Sequence, residues 1–142
     1  MRFAEKMLLN AKYFGLVPYI QRDRQNNRCA LGLVEEYSEI LTNARNLPLP
    51  GKSCVELFPW VDTTYYPMPC NCDVWYNKSV IYSIIHLFNE HVMQGGTYPE
   101  AEPWTLERLA DWIDSVDPTP RDAPTAARAE EPRSEPVLAQ VL

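Results

Sequence analysis

Glycine is scarce in this chain, with five in 142 residues, and apart from the pair Gly95-Gly96 they are scattered. A phosphate-cradling loop needs several closely spaced residues without side chains, so that class of nucleotide site is absent. Positive charge is also short: 13 Lys and Arg stand against 19 Asp and Glu, a net charge of −6. That balance excludes a general binder of phosphate backbones, which works through clustered cations. No apolar run approaches the roughly 18 residues of a membrane span. The start, Met1-Arg2-Phe3-Ala4-Glu5-Lys6, carries an acid early and lacks the apolar stretch of about 7 residues that defines a signal peptide. The four cysteines are unevenly spaced, so reduced thiols in a cytoplasm are expected. Neither H-E-x-x-H nor G-x-S-x-G occurs.

What is present belongs to a folded domain: 46% hydrophobic and 11% aromatic residues. The 13 prolines are uneven. Pro48, Pro50, Pro59, Pro67, Pro69 and Pro99 interrupt the middle, and Pro118, Pro120, Pro124, Pro132 and Pro136 crowd the C-terminal segment. From Asp117 onward there is no aromatic residue, and such a composition buries too little surface to offset ordering entropy. The expected organisation is one globular domain over 1–116 and a disordered acidic tail over 117–142. The fold class is mainly α, with α+β as the alternative.

Four helices are legible. Phe3, Ala4, Met7, Leu8, Ala11 and Phe14 recur at helical steps, with Gly15 as the stop. A second helix is expected over 29–44, capped by Asn26 or Asn27, with Glu35, Glu36 and Glu39 on a solvated face. Gly32 inside it costs about 1 kcal/mol relative to Ala, which suggests that another backbone or a ligand comes close. Residues 45–79 read as irregular, with 55–58 and 73–76 as short edge strands. A third helix spans 79–93, and a fourth starts at the N-cap Thr105 and closes before Pro118.

Two constellations carry chemistry. Cys29, beside Arg28 at a helix start, is placed for a lowered thiol pKa. With His91 as base and Asn89 or Glu90 as orienting group it makes a cysteine-dependent hydrolase or transferase. His86 and His91 lie five apart, about 140° around an α-helix, so His86 is expected to look outward. The second constellation is Cys70-Asn71-Cys72 followed by both histidines, C-x-C-x13-H-x4-H. It resembles a two-cysteine, two-histidine zinc pattern except for the single residue between the thiols. Zinc is the one cofactor this pattern suggests; otherwise none is expected. Trp60, Tyr65, Tyr66 and Trp75 in the middle are the residues expected to contact a partner.

Cys29-Ala30-Leu31-Gly32, together with the later Leu87-Phe88-Asn89-Glu90, resembles a group of small uncharacterised phage and bacterial proteins. They share a C-A-L-G-A helix start and a later Asn-Asp pair, where this chain has Leu33 and Glu90. The resemblance implies a phage-type accessory protein and carries over no catalytic residue. The leading expectation is binding to a macromolecular partner, protein rather than nucleic acid or membrane, with interference in a host defence system as its purpose. A cysteine-dependent enzyme and a small zinc-binding module are the alternatives, and a small-molecule ligand is open to any of them.

Overall fold

A computed structural model describes residues 1–41, 48–72 and 77–121, with the backbone alone at 37–41 and 48–50. The architecture is mainly α. Helix α1 (Phe3–Ala11) buries Phe3, Ala4 and Met7 against α2 (Ala30–Val34) and α6 (Leu106–Val116). Between them, α3 (Cys54–Leu57), α4 (Trp60–Thr63) and α5 (Val80–His86) follow in order. α5 continues without a break into a π-helical turn, Leu87–Val92. Leu33, Val61, Val80, Ile84, Leu87, Phe88, Leu109 and Ile113 form the fully buried centre.

The first and last helices follow their sequence signals. Thr105 caps α6, its hydroxyl accepting from Arg108 N at 3.0 Å. α1 ends at Ala11, short of Gly15. Gly15 instead receives Arg28: its carbonyl accepts from Arg28 N at 2.8 Å.

The second helix is a correction. It stops at Val34, and the chain turns into β1 (Glu36–Leu41), which pairs antiparallel with β2 (Pro48–Lys52). Glu35 ends the helix because its carboxylate is drawn inward, not left in solvent. It accepts from Cys54 N at 3.0 Å and Gln21 Nε2 at 3.3 Å. These tertiary bonds override a helical pattern of no great strength. Gly32 answers to a close backbone, since a Cβ there would lie 1.8 Å from Gln21 O.

Residues 55–57 are helical rather than extended, with Phe58 as the C-cap. Ser53 and Glu56 form a capping box that starts α3, an S-x-x-E signal present in the sequence. The expected strand at 73–76 lies outside the described residues, as does the segment from 122 onward. Thr119 and Arg121, beyond the expected domain boundary, still contact the body: Arg2 donates to Thr119 O, and Arg121 pairs with Asp114.

Candidate metal centre

A small sheet sets the position of the two thiols. β3 (Tyr65–Tyr66) pairs antiparallel with β4 (Lys78–Ser79), aligning Tyr65 with Ser79 and Tyr66 with Lys78. The chain therefore leaves and returns at the start of α5, where Ser79 accepts from Tyr82 N as the N-cap. The excursion carries Cys70 and Cys72, in a bend at 70–72.

The π-helical turn sets the position of the two imidazoles. Met93 N donates to Phe88 O at 2.9 Å, the i→i+5 bond that defines this geometry. Residues five apart then share a face, which an α-helix denies them. His86 is accordingly buried, not outward, and its ring centroid lies 5.2 Å from that of His91.

The four ligand atoms of Cys70, Cys72, His86 and His91 all lie within 4.8 Å of one another. Cys70 Sγ is 3.5 Å from His86 Nε2, and Cys72 Sγ is 3.4 Å from His91 Nε2. A tetrahedral zinc with Zn–S about 2.3 Å and Zn–N about 2.0 Å holds its sulfur and nitrogen ligands about 3.5 Å apart. The sulfur–nitrogen spacings are those of such a site. The single residue between the cysteines is no obstacle, because the pair closes on a helical face and needs no knuckle.

A backbone carbonyl fixes the tautomer of His91. His91 Nδ1 lies 2.6 Å from Glu102 O, and a carbonyl only accepts, so Nδ1 carries the proton. In the neutral ring that tautomer turns the Nε2 lone pair towards Cys72, as metal binding requires. Burial, and then the neighbouring His91, lowers the His86 pKa and keeps that imidazole neutral. Burial pushes the Cys72 thiol up to about 11, with the charges of Cys70, Glu90 and Glu102 adding to it.

Asn71, between the two cysteines, ties their loop to the segment before α6. Its Oδ1 accepts from Glu102 N at 3.1 Å, and its Nδ2 donates to Glu100 O at 3.4 Å. Trp104 N donates to His91 O at 3.0 Å and closes the same segment over the histidine. Asn71, Glu102 and Trp104 were not anticipated. The only signal was an Asn, whose amide mimics backbone, set within the C-x-C pair.

The other expected site residues fall elsewhere. Cys29 is the N-cap of α2, and burial raises its thiol pKa, contrary to the expected lowering. A helix of five residues offers little dipole, and Arg28 is spent on the Phe14 ring, 3.7 Å away, and on Asn26 Oδ1 at 3.0 Å. Both His91 nitrogens are engaged, by Glu102 and Cys72, so Cys29 is not its partner. Beside Cys29 lies an apolar cavity of about 180 Å³, walled by Tyr19, Leu31, Ile85 and Phe88.

Asn89 and Glu90 are buried and hold Tyr19. Asn89 Oδ1 accepts from Tyr19 N at 3.0 Å, and Glu90 Oε2 from its hydroxyl at 2.6 Å. These bonds keep Tyr19 at φ +68, a conformation that a bulky side chain rarely adopts. Of the aromatic residues expected at a partner surface, Tyr65 and Tyr66 are exposed. Trp60 packs on Phe3 with ring centroids 6.3 Å apart, and Trp75 lies outside the described residues. No described helix is long and apolar enough to cross a membrane. Comparison with protein-family models, curated proteins and solved structures finds no match to this chain, and the four-ligand cluster stands on its own geometry.

Proposed function

We propose that this chain is a small zinc-binding module in which the ion is structural and the protein acts by presenting a surface to a macromolecular partner. One observation carries the zinc reading: two thiols and two imidazoles converge at the spacings of a tetrahedral site. Soft sulfur with imidazole in this geometry selects zinc among common ions. Four protein ligands fill the coordination sphere and leave no position for an activated water, which favours a structural ion over a catalytic one. The ion joins the 70–72 loop to the α5 helix, and Asn71 extends that junction to 100–102.

The binding role, of the phage accessory type, draws support from the exposed tyrosines Tyr65, Tyr66, Tyr82 and Tyr98. Aromatic residues of this kind are enriched at protein interfaces.

The test is metal content. Protein purified without chelator should carry one zinc per chain by elemental analysis, and Cys72→Ser or His91→Ala should carry none. Cobalt(II) in place of zinc should give the visible absorption of a tetrahedral centre with a thiolate charge-transfer band. A wild-type chain that binds neither ion would end this reading.

A further inference from the structure

We propose that Cys70 and Cys72 form an oxidation site for hydroperoxides, joining as a disulfide and releasing the ion they hold; the release rests on the zinc reading above. The four cysteines divide into two classes. Cys29 and Cys54 are buried in the core, whereas Cys70 and Cys72 are each partly open to solvent. A groove of about 430 Å³ leads to Cys72, lined by Asn71 and the 97–101 segment. A small, uncharged peroxide has access there, whereas Cys54 is 2% exposed and Cys29 faces only the apolar cavity walled by Tyr19.

The pair is also close enough to react with itself. Its sulfur atoms already lie within 4.8 Å of each other. Two cysteines with one residue between them have α-carbons at most about 7 Å apart, at the edge of the range of about 4.4–6.8 Å that a disulfide requires. Zinc holds both sulfurs as thiolates, the nucleophilic form.

The chemistry balances with a hydroperoxide as oxidant. Cys72 thiolate attacks one peroxide oxygen, the O–O bond breaks, and hydroxide leaves, giving a sulfenic acid. Cys70 thiolate then attacks that sulfur, the S–O bond breaks, and a second hydroxide leaves as the disulfide forms. Two electrons pass from the sulfur pair to the peroxide. Zinc changes no oxidation state; it departs because two histidines alone hold it poorly. The 70–72 loop is thereby freed from the α5 helix.

The experiment uses the full chain, its zinc content measured first. Hydrogen peroxide is added in molar excess with a chromogenic zinc chelator present. The protein is then digested with a protease that cuts before aspartate, which isolates residues 62–72 with Cys70 and Cys72 but without Cys54. The expected result is complete loss of bound zinc with that peptide lighter by two hydrogens, Cys29 and Cys54 unchanged, and recovery of zinc binding after dithiothreitol. Retention of zinc, oxygen added to either cysteine without a disulfide, or prior oxidation of Cys29 or Cys54 would overturn the proposal. The two readings separate cleanly. A chain without zinc whose 62–72 peptide still loses two hydrogens, reacting more slowly through the small thiolate fraction of its thiols, keeps the oxidation site and ends the metal reading. A zinc-loaded chain that resists peroxide does the reverse.

Discussion

His86 and His91 meet edge to face, their ring centroids 5.2 Å apart, on a helix whose regular form would point them about 140° from each other. The π-helical turn between them supplies the alignment, and both thiols of the 70–72 loop meet the face it creates. Such turns occur frequently at functional sites.

Zinc uptake should release protons. With burial and nearby negative charge holding the Cys72 thiol at about 11, that group is protonated at neutral pH in the metal-free chain. Binding must displace the proton, so apparent affinity weakens as pH falls. Calorimetric titrations in two buffers of different ionisation enthalpy should give different apparent heats. Equal heats would show that no proton leaves.

Gly32→Ala should destabilise the fold despite alanine's better helix propensity of about 1 kcal/mol. The new Cβ would sit 1.8 Å from Gln21 O, and a backbone atom cannot simply rotate away. Forced overpacking costs about 1–3 kcal/mol, sometimes more. Urea denaturation of the variant should show an earlier midpoint; an unchanged or later one would refute the close approach.

Asp114 should contribute to the acid limb of the stability curve. Burial pushes its carboxyl up, but hydrogen bonds from Arg2 and Arg121 outweigh this and hold its pKa below the usual value. Arg2 Nε lies 2.7 Å from Oδ1, joining the start of α1 to α6. A depressed folded pKa means stability that is complete above the unfolded value near 4 and lost as pH falls through the folded one. Asp114→Asn should cost about 1 kcal/mol at pH 7 and flatten that acid limb. Denaturation curves between neutral and acid pH measure both effects, and parallel curves for the two proteins would rule the contribution out.

Cys29 should be slow to alkylate. Burial raises its thiol pKa, and Glu35's charge adds to this; burial pushes Cys54 up to about 12. In chelated protein at neutral pH, iodoacetamide should reach Cys70 and Cys72 well before either. Mass spectrometry over a short time course decides the order, and Cys29 reacting first would revive it as a nucleophile.

The sequence speaks clearly where one local rule acts alone. Thr105 and the apolar stripe Leu109, Ile113 and Val116 define α6 without help from elsewhere. The C-x-C-x13-H-x4-H spacing likewise names the four residues that the fold brings close enough to hold a metal ion. It fails where distant partners decide. Nothing around Glu35 announces that Cys54 N and Gln21 will draw its carboxylate inward and stop α2. The orientation of His86 was hidden for a different reason: a fixed period of 3.6 residues cannot represent a turn closed i→i+5. At Ser53 and Glu56 the capping signal is present, but α3 is a single turn, too short for an apolar period to mark it as helical.

A turn closed i→i+5 contains one residue more than an ordinary helical turn, so His-x4-His here spans what His-x3-His spans on a regular α-helix. A chain one residue shorter between the histidines would still align them. It would have one side chain fewer for everything else the turn does. The extra length lets six consecutive residues serve two neighbours at once: the histidines address the thiol loop, while Asn89 and Glu90 hold Tyr19. Insertion, ordinarily a defect in a helix, is here what allows one turn to anchor two separate loops.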